Sequence, residues 1–281
     1  MRDKDVLVSV MPLAPIEQQR RIIDILEDHL SRLDVASRAV RVATARLVSL
    51  RRASLDQITK RLGGKRVPLS TLVDRIEAGR SFGSASRPAT IDEWGIIKVS
   101  AMTWGEFRPE QNKVVSDEAR IDKRYEIHTN DILVSRANTT EYVGAPVLVG
   151  DTRGRLLLSD KSLRLIPRDG VSTAYLHRVL SAPDARRQLS ERATGTKDSM
   201  RNISQASLLT IQVPTATADG QASVVAAVTE LDDAAVRLDG LLLHALGRSA
   251  MLRHALLEAA FSGRLTGTTP AAGTLEEFAG V

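Results

Sequence analysis

From Ile16 to about Leu62, apolar side chains return every seven residues, at Leu26, Leu33, Val40 and Leu47. A second row, Ile16, Ile23 and Leu30, then turns polar. The stretch has no proline and no internal glycine, and it is rich in Arg, Leu, Ala, Glu and Gln. It therefore predicts one long helix with a coiled-coil seam, stopped at Gly63-Gly64. About 45 residues at the helical rise give roughly 65–70 Å. Val224 to about Phe261 repeats the pattern, with Val228, Ala235 and Leu242 seven apart, then Ser249 and Leu256. Its second row is Val224, Leu231, Leu238, Ala245 and Leu252; Gly240 and Gly247 weaken it locally, and Gly263 follows as a stop.

An offset of 202 residues superposes the two stretches without a gap: Val228, Ala235, Leu242 and Ser249 fall on Leu26, Leu33, Val40 and Leu47, and Gln221 on Gln19. Pro214 falls on Pro12 and Ala216 on Ala14. Upstream, "VLVSVMP" (Val6–Pro12) lies over "LLTIQVP" (Leu208–Pro214), an apolar strand running into a proline turn. This is an internal repeat. Two such helices, each overhanging any domain of about 150 residues, predict an antiparallel pair rather than two separate covers.

Between them, residues 65–213 change character. "LSTLVDRIEAG" has apolar residues at helical spacing and predicts a short amphipathic helix ended by Gly79. Short β-rich runs follow at Gly95–Ser100, Asp131–Arg136, Ala145–Gly150, Arg155–Ser159 and Ser162–Ile166, separated by loops of Gly, Ser, Thr, Asn and Arg. Ser172 to Ala193 predicts a helix broken at Pro183. The expected architecture is α+β: one α/β domain flanked by two long helices paired as an antiparallel coiled coil. The expected boundaries are a strand-like stub at 1–11, a first helix region at 12–64, the domain at 65–213, a second helix region at 214–265 and a tail at 266–281.

Charge sharpens this picture. The formal net charge is +5, carried by the first helix region and the middle, while the second helix region and tail are acidic. A basic middle suits a polyanionic partner. Its loops hold the side chains that such a partner needs: Arg80, Ser81 and Arg87 in one, Arg136, Asn138, Thr139, Thr140 and Tyr142 in the next, and Lys197, Ser199, Arg201 and Asn202 in "ATGTKDSMRNIS". Lys98 lies within the first of the predicted strands, and Lys161 between the last two. Arg bonds guanine bidentately, Asn does the same to adenine, and Ser, Thr and Lys reach phosphates. Most of the Ser and Thr are also ordinary turn residues. Arg136, at the end of an apolar strand, is the prime base reader, and Lys197 and Arg201 are the expected phosphate contacts.

Other chemistries find little support. The chain has no cysteine, which excludes disulfides and thiolate zinc sites. "LGGKRVP" lacks the spacing of a phosphate-binding loop, and no Gly-x-Gly-x-x-Gly follows a strand. The asparagine- or aspartate-Pro-Pro-aromatic motif of amino-methyltransferases is absent, and His29, His128, His177, His244 and His254 have no metal-ligand spacing. No apolar run is long enough to span a bilayer, so the expected location is the cytoplasm, without membrane contact.

Several stretches resemble the specificity (S) subunits of type I restriction-modification systems: "PLAPIEQQRRI" and "LRHALLEAAFSGRL" at the start and end of the long helices, "NDILVSRANTTEYVG" and "ATGTKDSMRNISQASLLTIQVP" in the target recognition domain. The resemblance implies a non-catalytic DNA-reading subunit. It implies double-stranded DNA, methyltransferase (M) subunits and translocating restriction (R) subunits as partners. S-adenosylmethionine is then bound by the M subunit, with no cofactor in this chain. The order departs from the family pattern of domain, helix, domain, helix, since only a stub precedes the first helix. Either a half-subunit that forms a homodimer or a fragment of a longer subunit fits. A coiled-coil adaptor and a DNA-acting enzyme with an unrecognised site are the rival readings.

Overall fold

The computed structural model describes residues 14–266 apart from Gly63, Trp104, Glu118, Arg120 and Ser199. The expected stub at 1–11 and the tail from 267 on lie outside the described residues. In chain order the elements are α1 (Ile16–Leu62), β1 (Arg66–Pro68), β2 (Val73–Ala78), β3 (Gly95–Ile97), β4 (Asn112–Val114), β5 (Ile132–Ser135) and β6 (Ala137–Asn138). Then come β7 (Pro146–Leu148), β8 (Leu156–Leu157), β9 (Ser162–Pro167), α2 (Thr173–Ser181), α3 (Pro183–Arg192), β10 (Thr194–Lys197), β11 (Met200–Asn202), α4 (Gln205–Leu209), β12 (Gln212–Pro214) and α5 (Ala218–Phe261). The chain divides into two compact units. One is drawn from the segments up to Ser49 and from Ala234 on; the other is Leu50–Asp233.

The first unit is a pair of antiparallel helices. Ser37 and Ser249 share a hydrogen bond of 2.8 Å, and Asp34 pairs with Arg253, so rising numbers on α1 meet falling numbers on α5. Leu26, Leu33, Val40 and Leu47 are half-buried, as are Leu30, Ser37 and Thr44 between them. The alternating steps of four and three are those of a coiled-coil seam. On α5, Ala235 and Leu242 lie in the seam; Val228, in the other unit, is fully buried. The expected second row of α5 is corrected: Leu238 and Leu252 are exposed, and Asp239, Leu246 and Arg253 are half-buried in their place. From Leu231 the half-buried positions advance by four twice, to Ala235 and then Asp239, and such an extra step shifts the stripe around the helix. Leu33→Asp places a charge in this seam and is expected to destabilise the pair by at least about 2 kcal/mol. The chain has no cysteine of its own, so Ser37→Cys/Ser249→Cys provides a clean reporter. Its disulfide yield should collapse in the Leu33→Asp background, and an unchanged yield would place the seam elsewhere.

The repeat has a structural counterpart. Gln19 Nε2 donates to the Ala14 carbonyl at 2.6 Å, and Gln221 Nε2 donates to the Ala216 carbonyl at 3.1 Å. Each glutamine fastens its helix start to the residue five before it, 202 positions apart.

In the second unit, β1 and β12 pair antiparallel through Val67↔Val213, which brings the two ends of the middle segment together. A four-stranded sheet of order β2-β9-β5-β7 forms the centre. Ile132, Val134, Leu163 and Leu165 pack on one side with Tyr175, Leu176, Val179 and Leu189 from α2 and α3. Leu133 and Val147 face a second cluster with Ile97, Met102 and Leu158. Both faces are covered, so β5 reads as an unbroken apolar run. The ends of α1 and α5 join the first cluster through Leu55, Ile58, Val224 and Val228. Asp232 of α5 binds both Arg51 (2.7 Å) and Arg178 (2.6 Å), tying those ends to α2. His177 beside them is half-buried, and desolvation and the Arg178 charge push its pKa down to about 4, so it stays neutral packing.

The predicted helix over "LSTLVDRIEAG" is instead a 3-10 turn (Leu69–Thr71) followed by β2. β2 pairs with β9 through Ile76↔Leu165 and Ala78↔Leu163, with a register shift between Val73 and Arg75. That irregularity leaves Asp74 and Arg75 both exposed between Val73 and Ile76. The resulting apolar spacing imitates a helix although the segment is a bulged strand. Pro183 opens α3, so the broken helix at 172–193 is as expected.

Candidate nucleic-acid interface

One end of the four-stranded sheet gathers most of the expected contact residues. β2 and β5 both run antiparallel to β9, so both finish where β9 begins. The turn after β2 is pinned there by Gly79 N to Ser162 O (3.1 Å) and Arg80 N to Leu158 O (3.3 Å). The residue after β5 is pinned by Arg136 N to Lys161 O (2.9 Å), while Ile203 N donates to Arg136 O (3.0 Å). Arg80, Lys161 and Arg136 therefore leave adjacent strand ends. β3 and β8 are parallel with Ile96↔Leu157, so the next steps place Lys98 level with Ser159 at the same end.

The two loops singled out from the sequence are one structure. β10, β11 and β6 form a three-stranded sheet, with Arg201↔Asn138 and Asn202↔Ala137 in register. Thr140 is clasped to Asp198 twice, by its backbone N–H to the carbonyl (3.0 Å) and by Oγ1 to Oδ1 (3.2 Å). The loop from Arg136 to Gly144 and the hairpin from Thr194 to Asn202 thus present a common surface. Ser199 lies outside the described residues.

The side chains divide into free and engaged. Arg80, Lys98, Arg136, Lys161 and Lys197 make no ion pair or side-chain hydrogen bond among the described residues, and all but the half-buried Lys98 are exposed. Ser81, Thr139 and Asn202 are exposed as well, and Tyr142 is half-buried beside them. Arg201 is engaged: its guanidinium donates to the Gly195 carbonyl (3.0 Å) and the Ala193 carbonyl (2.5 Å), bracing the hairpin. Asn138 donates to Ser135 Oγ (3.1 Å) and accepts from Thr139 N (2.8 Å), which shapes its loop. Arg87, farther along the same connection as Arg80, is tied to Glu93 at 2.7 Å.

Sequence reasoning missed the residues that support this surface from behind. Arg186 of α3 donates to the carbonyls of Glu141 (2.9 Å) and Val143 (3.0 Å), fixing the base of the Arg136–Gly144 loop. Burial, with the charge of Arg52 adding to it, lowers its pKa to about 10. Its partners are main-chain carbonyls of a distant loop, which leave no mark in a sequence pattern. Gly79 is the other support. A Cβ there would collide with the Ser159 carbonyl, so Gly79→Ala is expected to destabilise the domain by about 1–3 kcal/mol and displace Arg80. Urea unfolding checks the first effect, and unchanged stability would mean that the turn is softer than this packing implies.

The described residues contain no group of His, Asp and Glu that could hold a metal ion, and no helix among them is long and apolar enough to cross a membrane. What the sheet end offers is a set of flexible cations, hydroxyls and one amide on a rigid frame. Such a surface can hold phosphates and touch base edges.

Two long helices with this α+β domain are the fold of type I restriction-modification specificity subunits. A chain from a structure on complex assembly and conformational transition of the type I R-M system superposes with a TM-score of 0.71 at 19% identity, over 93% of this chain and 63% of that one. The HsdS subunit from Thermoanaerobacter tengcongensis superposes with a TM-score of 0.55 at 19% identity, over 94% of this chain and 63% of that one. In sequence, the chain is similar to the specificity subunit of the type I restriction enzyme EcoEI of Escherichia coli, 28% identical over 196 residues, 69% of this chain. The chain spans about a third of that relative's length, since the match covers 33% of it. No family model matches the chain.

Proposed function

We propose that this chain is a sequence-reading part of a type I specificity subunit, binding one half of a bipartite DNA target through the cationic sheet end and setting spacing through its helices. The observation that carries this reading is the clasp of the Arg136–Gly144 loop to the Thr194–Asn202 hairpin, which makes one surface of free cations supported by buried structure. Methyltransferase subunits, which bind S-adenosylmethionine, are the partners that act on the DNA, and restriction subunits join the same assembly. The chain supplies recognition and no chemistry of its own. Purified alone, it is expected to transfer no methyl group from S-adenosylmethionine to DNA; with a matching methyltransferase subunit added, transfer should appear. Robust transfer by the chain in isolation would overturn the reading. Methylome sequencing of cells expressing the two genes then identifies the target. A split palindrome indicates two copies of this chain, and an asymmetric split site indicates a second, different reading domain.

A further inference from the structure

The outer face of the β10–β11 hairpin carries one side chain unlike its neighbours. Lys197 and Met200 are cross-strand partners at the end of the hairpin, and Thr194 and Asn202 are partners nearer its base. Three steps along β10 thus match two along β11, which is a one-residue bulge. Side chains alternate along a strand, and cross-strand partners share a face. Met200 and Asn202 therefore point the same way, and the bulge is what brings Lys197 and Thr194 together onto that face. Arg201, between Met200 and Asn202, points the other way and braces the hairpin through the Gly195 and Ala193 carbonyls. The outer face is exposed throughout. Three of its four side chains are polar, and Met200 is apolar and 57% exposed.

A single exposed methionine is ordinary on a protein surface. What sets Met200 apart is how its backbone is held. Gly195 has φ +136°, and a Cβ on it would stand 2.6 Å from the Met200 carbonyl, so the two strands close tightly here. The next residue, Arg201, is in register with Asn138 of β6. Asp198, two residues before Met200, is clasped by Thr140. The chain is fixed on both sides, yet the side chain joins no apolar cluster among the described residues. It stands opposite the free Lys197, in the sheet whose first strand follows Arg136 directly.

We infer that Met200 reads a thymine of the target, by packing the end of its side chain against the thymine C5-methyl group in the major groove. The major groove admits a two-stranded β-ribbon, and the thymine methyl is the apolar group among the base edges displayed there. Methionine suits that contact, being unbranched, polarisable and able to adjust its rotamers. The cations, hydroxyls and amides around it gain nothing from a methyl group. In the minor groove A·T and T·A pairs offer only acceptors, which an apolar side chain does not satisfy. A wedge driven between base pairs is the other use of an exposed methionine on DNA. Asn202 on the same face is matched to base edges, and a face that lies along base edges presents Met200 to them as well. The inference rests on the proposed function and adds one specificity-determining residue to its surface.

The test uses the full chain with a matching methyltransferase subunit, and duplexes carrying the half-site that methylome sequencing identifies. Each thymine is replaced in turn by deoxyuridine, which lacks only the C5-methyl group, and dissociation constants are measured by fluorescence anisotropy. At one position the replacement is expected to weaken wild-type binding ~3–10-fold, as burial of one or two methyl-sized groups implies. Met200→Ala should lose a similar factor on the thymine duplex and respond less than about twofold to deoxyuridine at that position. Met200→Leu, which stays apolar, should keep most of the thymine preference. A half-site without thymine, or a wild type indifferent to deoxyuridine at every position, would overturn the methyl contact and leave the proposed function intact. A deoxyuridine penalty that Met200→Ala retains in full would do the same. If Met200→Ala weakened binding to the thymine and deoxyuridine duplexes alike, a wedge would replace the methyl contact. A wild-type complex that prefers no duplex over a scrambled one would overturn both the inference and the proposed function.

Discussion

Replacing Arg164 by methionine is expected to lower the unfolding free energy of the domain by about 3–5 kcal/mol. Arg164 stands on β9 between Glu77 of β2 and Leu133 of β5. Its side chain is only 8% exposed. It donates to Glu77 Oε2 through Nε and Nη2 (2.8 and 2.6 Å), to Asp131 Oδ2 (2.9 Å), and to the carbonyls of Glu126 and Arg124 (2.6 Å each). Asp131 also accepts the His128 N–H at 2.9 Å. Methionine matches the length of the side chain and leaves two carboxylates and two carbonyls short of a donor. Breaking one partner of a buried pair is costly because the remaining charges stay where they are. Urea unfolding measures the loss; a change below ~1 kcal/mol would show that water replaces the guanidinium.

The same group sets an acid limb. Burial by itself would raise the Glu77 carboxyl, but the hydrogen bonds and charge of Arg164, with Arg75 adding to them, outweigh it and hold the pKa below the usual carboxylate value. A depressed carboxyl contributes stability that is present above its unfolded pKa and lost as pH falls through the folded one. Wild-type stability should therefore fall as pH drops from about 5 into the acid range, and that slope should flatten in Arg164→Met.

Arg136→Ala is expected to cost about 1–3 kcal/mol of binding to the preferred DNA site and to relax one target position. The reason is placement. The backbone of Arg136 is held on both sides, by Lys161 and Ile203, while its guanidinium has no partner among the described residues. An arginine anchored in this way loses little further freedom on binding a base. Lys197→Ala makes the contrast. Lys197 sits next to the clasped Asp198, and its loss should weaken all sequences alike and reduce the salt slope by about one. Binding to the preferred and a scrambled duplex across a salt series separates the two. If Arg136→Ala weakened both duplexes equally, base reading would have to be assigned to another residue of the loop. Arg201, which the sequence placed with Lys197 as a phosphate contact, is used to brace the hairpin. Arg201→Ala should therefore lower the stability of the hairpin as well as affinity.

The sequence by itself determined the two long helices, their seam at Leu26, Leu33, Val40 and Leu47, the repeat between them and the strands β3, β5, β7, β8 and β9, while the short β4 and β6 went unmarked. These depend on local periodicity, glycine and proline stops and apolar runs, all of which one chain displays directly. It also pointed to the loops that carry Arg80, Arg136 and Lys197, because free cations among Gly, Ser and Thr have no core to join. Three things were decided only by tertiary structure. β2 is a strand because β9 pairs with it, and its bulge sets Val73 and Ile76 at a spacing that a helix would share. The half-buried row of α5 passes through Asp239 and Arg253 rather than Leu238 and Leu252, because the partner helix, and not the heptad, fixes which side faces inward. Arg136, Asn138 and Arg201 look alike in sequence, yet one is free and two are engaged. Their roles follow from which carbonyls and hydroxyls distant segments bring within hydrogen-bond reach, and no local pattern records that.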